Sequence, residues 1–292
     1  MRWSGRTGAS RSWTSTASAW TRCWSRACRP EASIPWPFPF LNRKTEMKFP
    51  PMYRSMTALD TVQHRELRVS QAAATLDNAK DLNAVFLNVV EFADACREFA
   101  IVFVRTGEGK DGKPAPVAPL AVLGLNQGEN LFLKDGQWQG EYAPAYLRRY
   151  PFCMARLEAG SDRLAVCVDD SWSGFSTTEG ERLFDDKGEP TEFTKGLVTF
   201  LESFETESDR TQQACNEMDE AGLFEEMRFE AQVGDGPKIE VTGFLAVNHE
   251  KLMALPDDKV LAFHRNGLLQ LVEMHRLSLA NMSRLAAKRN KL

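Results

Sequence analysis

The apolar runs of this chain are strand-sized, and that limits what it can fold into. The longest are AIVFV at 100–104 and LAVLGL at 120–125, far short of the roughly 18 residues that cross a bilayer. A membrane span is therefore excluded, and the core must be assembled from many short pieces. From about residue 57 such pieces alternate with helical patterns. NAVFLNVV (83–90), AIVFVR (100–105), LAVLGL, NLFLK (130–134), FCMARLE (152–158) and RLAVCVD (163–169) read as strands, the last suited to a central position. EFADACREF (91–99) reads as a short helix, and TGEGKDGKPAPVAP (106–119) as a Gly/Pro loop.

Farther along, Leu197, Leu201 and Phe204 recur at helical spacing. A second helix is expected over SDRTQQACNEMDEAGLF, with Ser208 or Asp209 as its cap and Gly222 near its end. MRFEAQV and KIEVTGFLAV form a hairpin across GDGP, PDDKVLAFHRNG is a helix closed by Gly267, LLQLVEMHR suits a strand, and LSLANMSRLAAKRN a terminal helix. Strands and helices are intermixed without βαβ spacing. The expected class is α+β, with mixed, largely antiparallel sheets, short flanking helices and a C-terminal helix.

Charge divides the chain in two. Residues 1–46 hold eight Lys/Arg against two Asp/Glu, a net of +6, and the remainder holds 28 basic and 38 acidic residues, a net of −10. The basic segment carries five of the seven tryptophans, is broken by Gly and Pro, and lacks the apolar stretch of a secretory signal. It is expected to be a disordered extension outside the native product, with Met47, Met52 or Met56 as the true start. Residues 47–292 are then a single globular domain, with 191–226 as a helical sub-region. The acidic body disfavours nucleic acid as a partner. Six scattered cysteines with no CxxC pair and no secretory signal point to a reducing cytoplasm.

The motifs that could carry chemistry are incomplete. GEGKDG (107–112) matches a dinucleotide fingerprint, but the prolines after it forbid the helix that would face a pyrophosphate. HEKLM (249–253) has Met253 where a zinc protease has its second histidine, and His264 and His275 are expected to be solvated or capping. No metal and no cofactor is expected. The acidic stretch from Glu202 to Glu226 reads as the solvated face of two helices.

Two places are richer. CVDDSWSGF ends an apolar strand with Asp169 and Asp170, a position where paired acids bind metals, act as bases, or simply cap a turn. NLFLKDGQWQGEYAPAYLRRYPF (130–152) sets Trp138, Tyr142, Arg148 and Arg149 around an Asp135-Gly136 turn. Trp138 and Tyr142 fall on one face if extended, and Pro144 opens a short helix ending at the arginines. Arg148 or Arg149 can pin an acid such as Asp169, or grip a carboxylate or phosphate ligand. Trp138, Tyr142, Arg148, Arg149, Asp169 and Asp170 are the candidate ligand-binding residues.

Taken in order, LGLNQGENLFLKDGQWQGEYAPAYLRRYPF, CVDD, GERLFDDKGEPTEF and GFLAVNHEKLMAL…LLQLVEMHRLSLANMSRL resemble the bacterial SapC-like family over about residues 57–287. The resemblance implies a link to surface-layer or envelope-associated processes and supplies no catalytic residues. It does not extend to the peptide-uptake permease of the same letters, which is membrane-embedded. Two functions follow. One is a soluble, non-catalytic accessory protein, cytoplasmic or reaching the surface through a partner, that engages an unknown protein or small molecule. The other is an enzyme or small-molecule-binding protein using an Arg/Asp/Trp pocket.

Overall fold

The protein is described here from a computed structural model, covering residues 49–290 apart from 71–74, 108, 110–113, 157–163 and 233–238. The expected extension at 1–46, the GDGP turn and most of the GEGKDG loop lie outside these residues.

The fold is α+β. Its largest sheet has five strands in the order β12-β13-β4-β5-β3. These are β3 (Ala84–Phe86), β4 (Ile101–Arg105), β5 (Val117–Val122), β12 (Phe224–Ala231) and β13 (Ile239–Val247). β4 and β5 are buried along nearly their whole length, as apolar runs at the centre of a covered sheet must be. A second sheet, β1-β9-β8, comprises β1 (Thr57–Ala58), β8 (Phe152–Arg156) and β9 (Leu164–Val168), with β9 central as its continuous apolar run suggests. Two small sheets complete the set: β10-β2-β11, from β2 (Arg68–Val69), β10 (Phe175–Ser176) and β11 (Glu181–Arg182), and the hairpin β6 (Leu133–Lys134) and β7 (Gln137–Trp138). The pairings are antiparallel. At the β6–β7 turn Asp135 and Gly136 have φ of 51° and 72°, the positive pair that a two-residue hairpin needs.

The helices are α1 (Phe92–Ala95), α2 (Ala145–Arg148), α3 (Glu192–Glu220), α4 (His249–Met253), α5 (Asp257–Arg265), α6 (Leu268–Ser278) and α7 (Asn281–Arg289). α3 packs against both β5 and β8, so it roofs the junction of the two main sheets. One contiguous hydrophobic core runs from Met52 to Ala286. No helix among the described residues is long and apolar enough to cross a membrane.

Several expectations are corrected. The loop assigned to 106–119 ends early, because β5 begins at Val117 and takes Pro119 into the sheet. Leu87 N donates to Pro119 O at 3.1 Å, but proline has no N–H to return, and the β3 ladder stops at Phe86. The strand assigned to 83–90 shortens accordingly, giving way to a 3₁₀ turn at Val89–Glu91.

The two helices placed either side of Ser208 are one helix of 29 residues. Its buried seam of Leu201, Phe204, Ser208, Thr211, Cys215 and Met218 keeps a 3–4 spacing straight through the supposed cap. Ser208 and Thr211 stay in that seam because both hydroxyls donate to the buried Asn88 Oδ1, at 3.3 and 3.2 Å. Gly222, with φ of 69°, ends the helix, and Leu223 N reaches back to Met218 O.

LLQLVEMHR is helix α6, not a strand. Leu268, Val272, His275 and Ser278 are its buried positions, a helical rather than alternating period, and both edges of β4 are already paired. His275 is accordingly neither solvated nor a cap. Its Nε2 accepts from Val247 N at 3.1 Å and its Nδ1 lies 2.8 Å from Ile101 O, tying α6 to the sheet. Burial pushes its pKa down to about 4.

Candidate functional site

The six candidate residues fall into three environments. The first is the corner built by residues 138–148. Trp138 stacks on Phe132 with centroids 5.6 Å apart, and its Nε1 donates to Tyr142 O at 2.9 Å. Tyr142 OH donates to Glu91 Oε1 at 2.6 Å, and Ala145 N donates to the same oxygen at 2.7 Å. The other oxygen of Glu91 takes Asn88 N at 3.0 Å. Glu98 accepts from the backbone N–H groups of Glu141 and Tyr142. Two carboxylates from the α1 region thus hold the corner in place. Burial, then the Glu91 carboxylate, hold the Tyr142 hydroxyl well above its ordinary pKa. Arg148 is exposed; its Nε donates to Ala143 O at 2.9 Å, and its guanidinium lies 5.8 Å from the Tyr142 ring and 5.4 Å from that of Phe200.

The second environment is the end of β9. Asp169 is fully buried and accepts from Arg54 N (2.8 Å), Ser55 N (3.2 Å), Ser171 N (3.2 Å), Ser171 Oγ (2.6 Å) and Tyr150 OH (3.2 Å). Its lone pairs are taken by a turn and by the segment leading into β1. Asp170 points the other way, exposed, and accepts from Thr57 Oγ1 at 3.1 Å. The adjacent acids do not act as a pair.

Arg149 occupies the third. It is 8% exposed, at the floor of a cleft of about 330 Å³ between β5, β8 and α3. The volume is at the low end of the about 300–1,000 Å³ of small-molecule pockets. Its guanidinium carbon lies over the Tyr146 ring at 4.4 Å and the Phe204 ring at 4.5 Å, with Tyr53 at 5.9 Å. The carboxylate facing it is Glu205, not Asp169, and the Nη1–Oε1 separation is 3.8 Å, an ion pair without a hydrogen bond. Arg149 Nε is buried and has no hydrogen-bond partner among the described residues. Burial opposes the charge, but the arginine stays above its ordinary pKa, with Glu205 the neighbouring carboxylate that favours the cation.

Around it the neutral forms prevail. Burial pushes the Cys153 thiol up to about 11 and the Tyr146 hydroxyl up to about 12, and raises Tyr53, with Arg149 opposing in each case. Burial raises Glu205 from its ordinary pKa, with Arg149 pulling it back. Asp209 and Arg156 stand exposed in the same walls, and Phe86, Val117, Pro119 and Leu164 supply apolar surface. Arg149 also borders a larger apolar trough of about 610 Å³, flanked by Leu147, Trp172, Phe193 and Leu197. Both border the buried cation, and the smaller cleft is the better candidate because it alone also holds Glu205, Cys153 and Tyr146, the perturbed groups that face it. Trp138, Tyr142, Asp169 and Asp170 line neither.

Sequence reasoning found Arg149 but missed Glu205, which lay inside a stretch read as solvated. The available signal was its position beside the 3–4 seam of α3, directly after Phe204. The HEKLM histidine and His264 are exposed, and among the described residues no three His, Cys, Asp or Glu side chains are grouped to hold a metal.

Comparison with known proteins gives one family model, described as SapC, which matches residues 59–285. No curated protein and no solved structure matches the chain.

Proposed function

Starting from the fact that this chain belongs to the SapC family, we propose that it is a soluble, non-catalytic accessory protein that holds a small molecule in the Arg149 cleft and works through that bound state. The observation that carries this reading is the buried guanidinium with a long ion pair and an unpartnered Nε at the floor of a cleft. A buried cation left short of acceptors is costly unless another acceptor arrives. The flanking groups favour holding over transformation. Cys153 and Tyr146, at about 11 and 12, are protonated at neutral pH, so neither offers a ready nucleophile or base. The link to surface-layer or envelope-associated processes, and a cytoplasmic site of action, rest on the family resemblance and the cysteine pattern. The acidic body argues against nucleic acid as the partner.

The test is capture of the native protein followed by mass spectrometry of bound proteins and small molecules. The expected result is a small molecule near stoichiometric amount, unchanged on long incubation and lost from Arg149→Met. Its conversion to a second compound by the wild-type chain would overturn the non-catalytic reading.

A further inference from the structure

The Arg149 cleft carries both signs of charge, and we infer that its ligand is a small zwitterion: a carboxylate and an ammonium group close together, with a short apolar tail. The inference deepens the holding role proposed above and rests on it.

Arg149 supplies the carboxylate site. The Tyr146 and Phe204 rings lie 4.4 and 4.5 Å from its guanidinium carbon, fixing the group where it stands. Among the described residues its Nε–H has no partner, and its Nη1 is 3.8 Å from Glu205 Oε1, beyond hydrogen-bond length. A guanidinium so placed keeps hydrogen-bonding capacity that a ligand carboxylate can take up.

A simple anion does not fit the rest of the cleft. Glu205 faces the same guanidinium, and Asp209 follows one helical turn later in the same wall. An incoming carboxylate alone would meet these two acids in a partly desolvated space, where like charges repel strongly. Arg156 at the rim brings the formal charge of the lining to zero, two basic against two acidic side chains. A ligand that brings one charge of each sign satisfies both halves: its carboxylate on Arg149, its ammonium toward Glu205 and Asp209. The size agrees. About 330 Å³ admits an amino-acid-sized molecule, and a nucleotide would add phosphate charge against the acids.

The test is titration calorimetry of the full chain with three matched probes: 2-aminopentanoate, pentanoate, which lacks the amine, and butylamine, which lacks the carboxylate. The expected result is that 2-aminopentanoate binds at least about tenfold more tightly than either relative. Arg149→Met removes that binding. Glu205→Gln, an isosteric change whose folding is checked by urea unfolding, brings pentanoate to within about threefold of 2-aminopentanoate by removing the repulsion. Equal binding of 2-aminopentanoate and pentanoate to the wild-type chain marks a plain anion site and overturns the proposal. So does a preference that survives Glu205→Gln, or no heat from any probe. If the probes fail while native capture yields a different, Arg149-dependent molecule, the zwitterion falls and the holding role stands. If capture yields no such molecule, both fall.

Discussion

Asp169, just after β9, and Arg149, at the end of α2 and three residues before β8, are both buried charged side chains, and they are treated in opposite ways. Asp169 accepts five hydrogen bonds from Arg54, Ser55, Ser171 and Tyr150, and lines neither cleft. Arg149 has aromatic rings, a carboxylate at 3.8 Å, an unpartnered Nε and a cleft above it. A buried charge whose hydrogen-bonding capacity is filled by its own chain is architecture, because removing it strands its donors. One left partly unfilled beside open space is available to something outside the chain. The difference separates a charge that holds this molecule together from the one proposed above to bind a ligand.

The comparison can be broken most directly at Asp169. Asp169→Ala is expected to destabilise the protein by about 3 kcal/mol, since several donors lose one acceptor together. Urea unfolding of the full chain measures it, and a loss under about 1 kcal/mol would place Asp169 with the dispensable charges.

His275 extends the filled class to a titratable base. Its folded pKa, about 4, is below its unfolded value of about 6.5. Between those values the unfolded chain binds a proton that the folded chain refuses, so stability is full above about pH 6.5 and falls as pH drops toward 4. The loss is on the order of 3 kcal/mol. His64 is also lowered by burial and adds slope in this range, so the difference between wild type and His275→Gln isolates the His275 share. An unchanged slope in that variant would contradict the assignment.

Glu91 is the filled carboxylate of the Trp138–Tyr142 corner. Replacing it by Gln puts an NH₂ group among the donors of Asn88, Tyr142 and Ala145, and about 1–2 kcal/mol is expected to be lost in thermal or urea unfolding.

The smallest effect is expected at the unfilled pair. Arg149→Met combined with Glu205→Leu should leave stability within about 1 kcal/mol of wild type, because a loosely paired buried ion pair replaced by apolar groups loses little. The same double variant should lose ligand binding altogether. A stability loss as large as that of Asp169→Ala would erase the distinction between the two charges.

The legible parts of the fold are those decided within a few residues. Asp135-Gly136 turns a hairpin because two positive φ angles are needed there, and Pro144 precedes α2 because its fixed φ suits a helix start. Gly222 and Gly267, with φ of 69° and 85°, end helices for the same local reason. The misread parts depended on neighbours. Ser208 resembles a cap, but Asn88 accepts its hydroxyl inside the α3 seam. LLQLVEMHR suits a strand until β4 is seen to be paired on both edges. Pro119 suggests a loop, yet it sits in β5 opposite the end of β3, where the missing N–H ends a ladder.

By itself the sequence determined the α+β class, the Asp135-Gly136 hairpin turn and membership of the SapC family over most of the chain. It also picked out Arg148 and Arg149 as residues in want of partners. Only the tertiary structure decided that Arg148 would lie exposed against Tyr142 and Phe200, that Asp169 would be filled by a turn, and that Arg149 would meet Glu205 across a cleft. The reason is physical. Turn and helix-end preferences act over a few bonds and are written locally, whereas the satisfaction of a buried charge depends on which distant groups packing brings within about 3 Å of it.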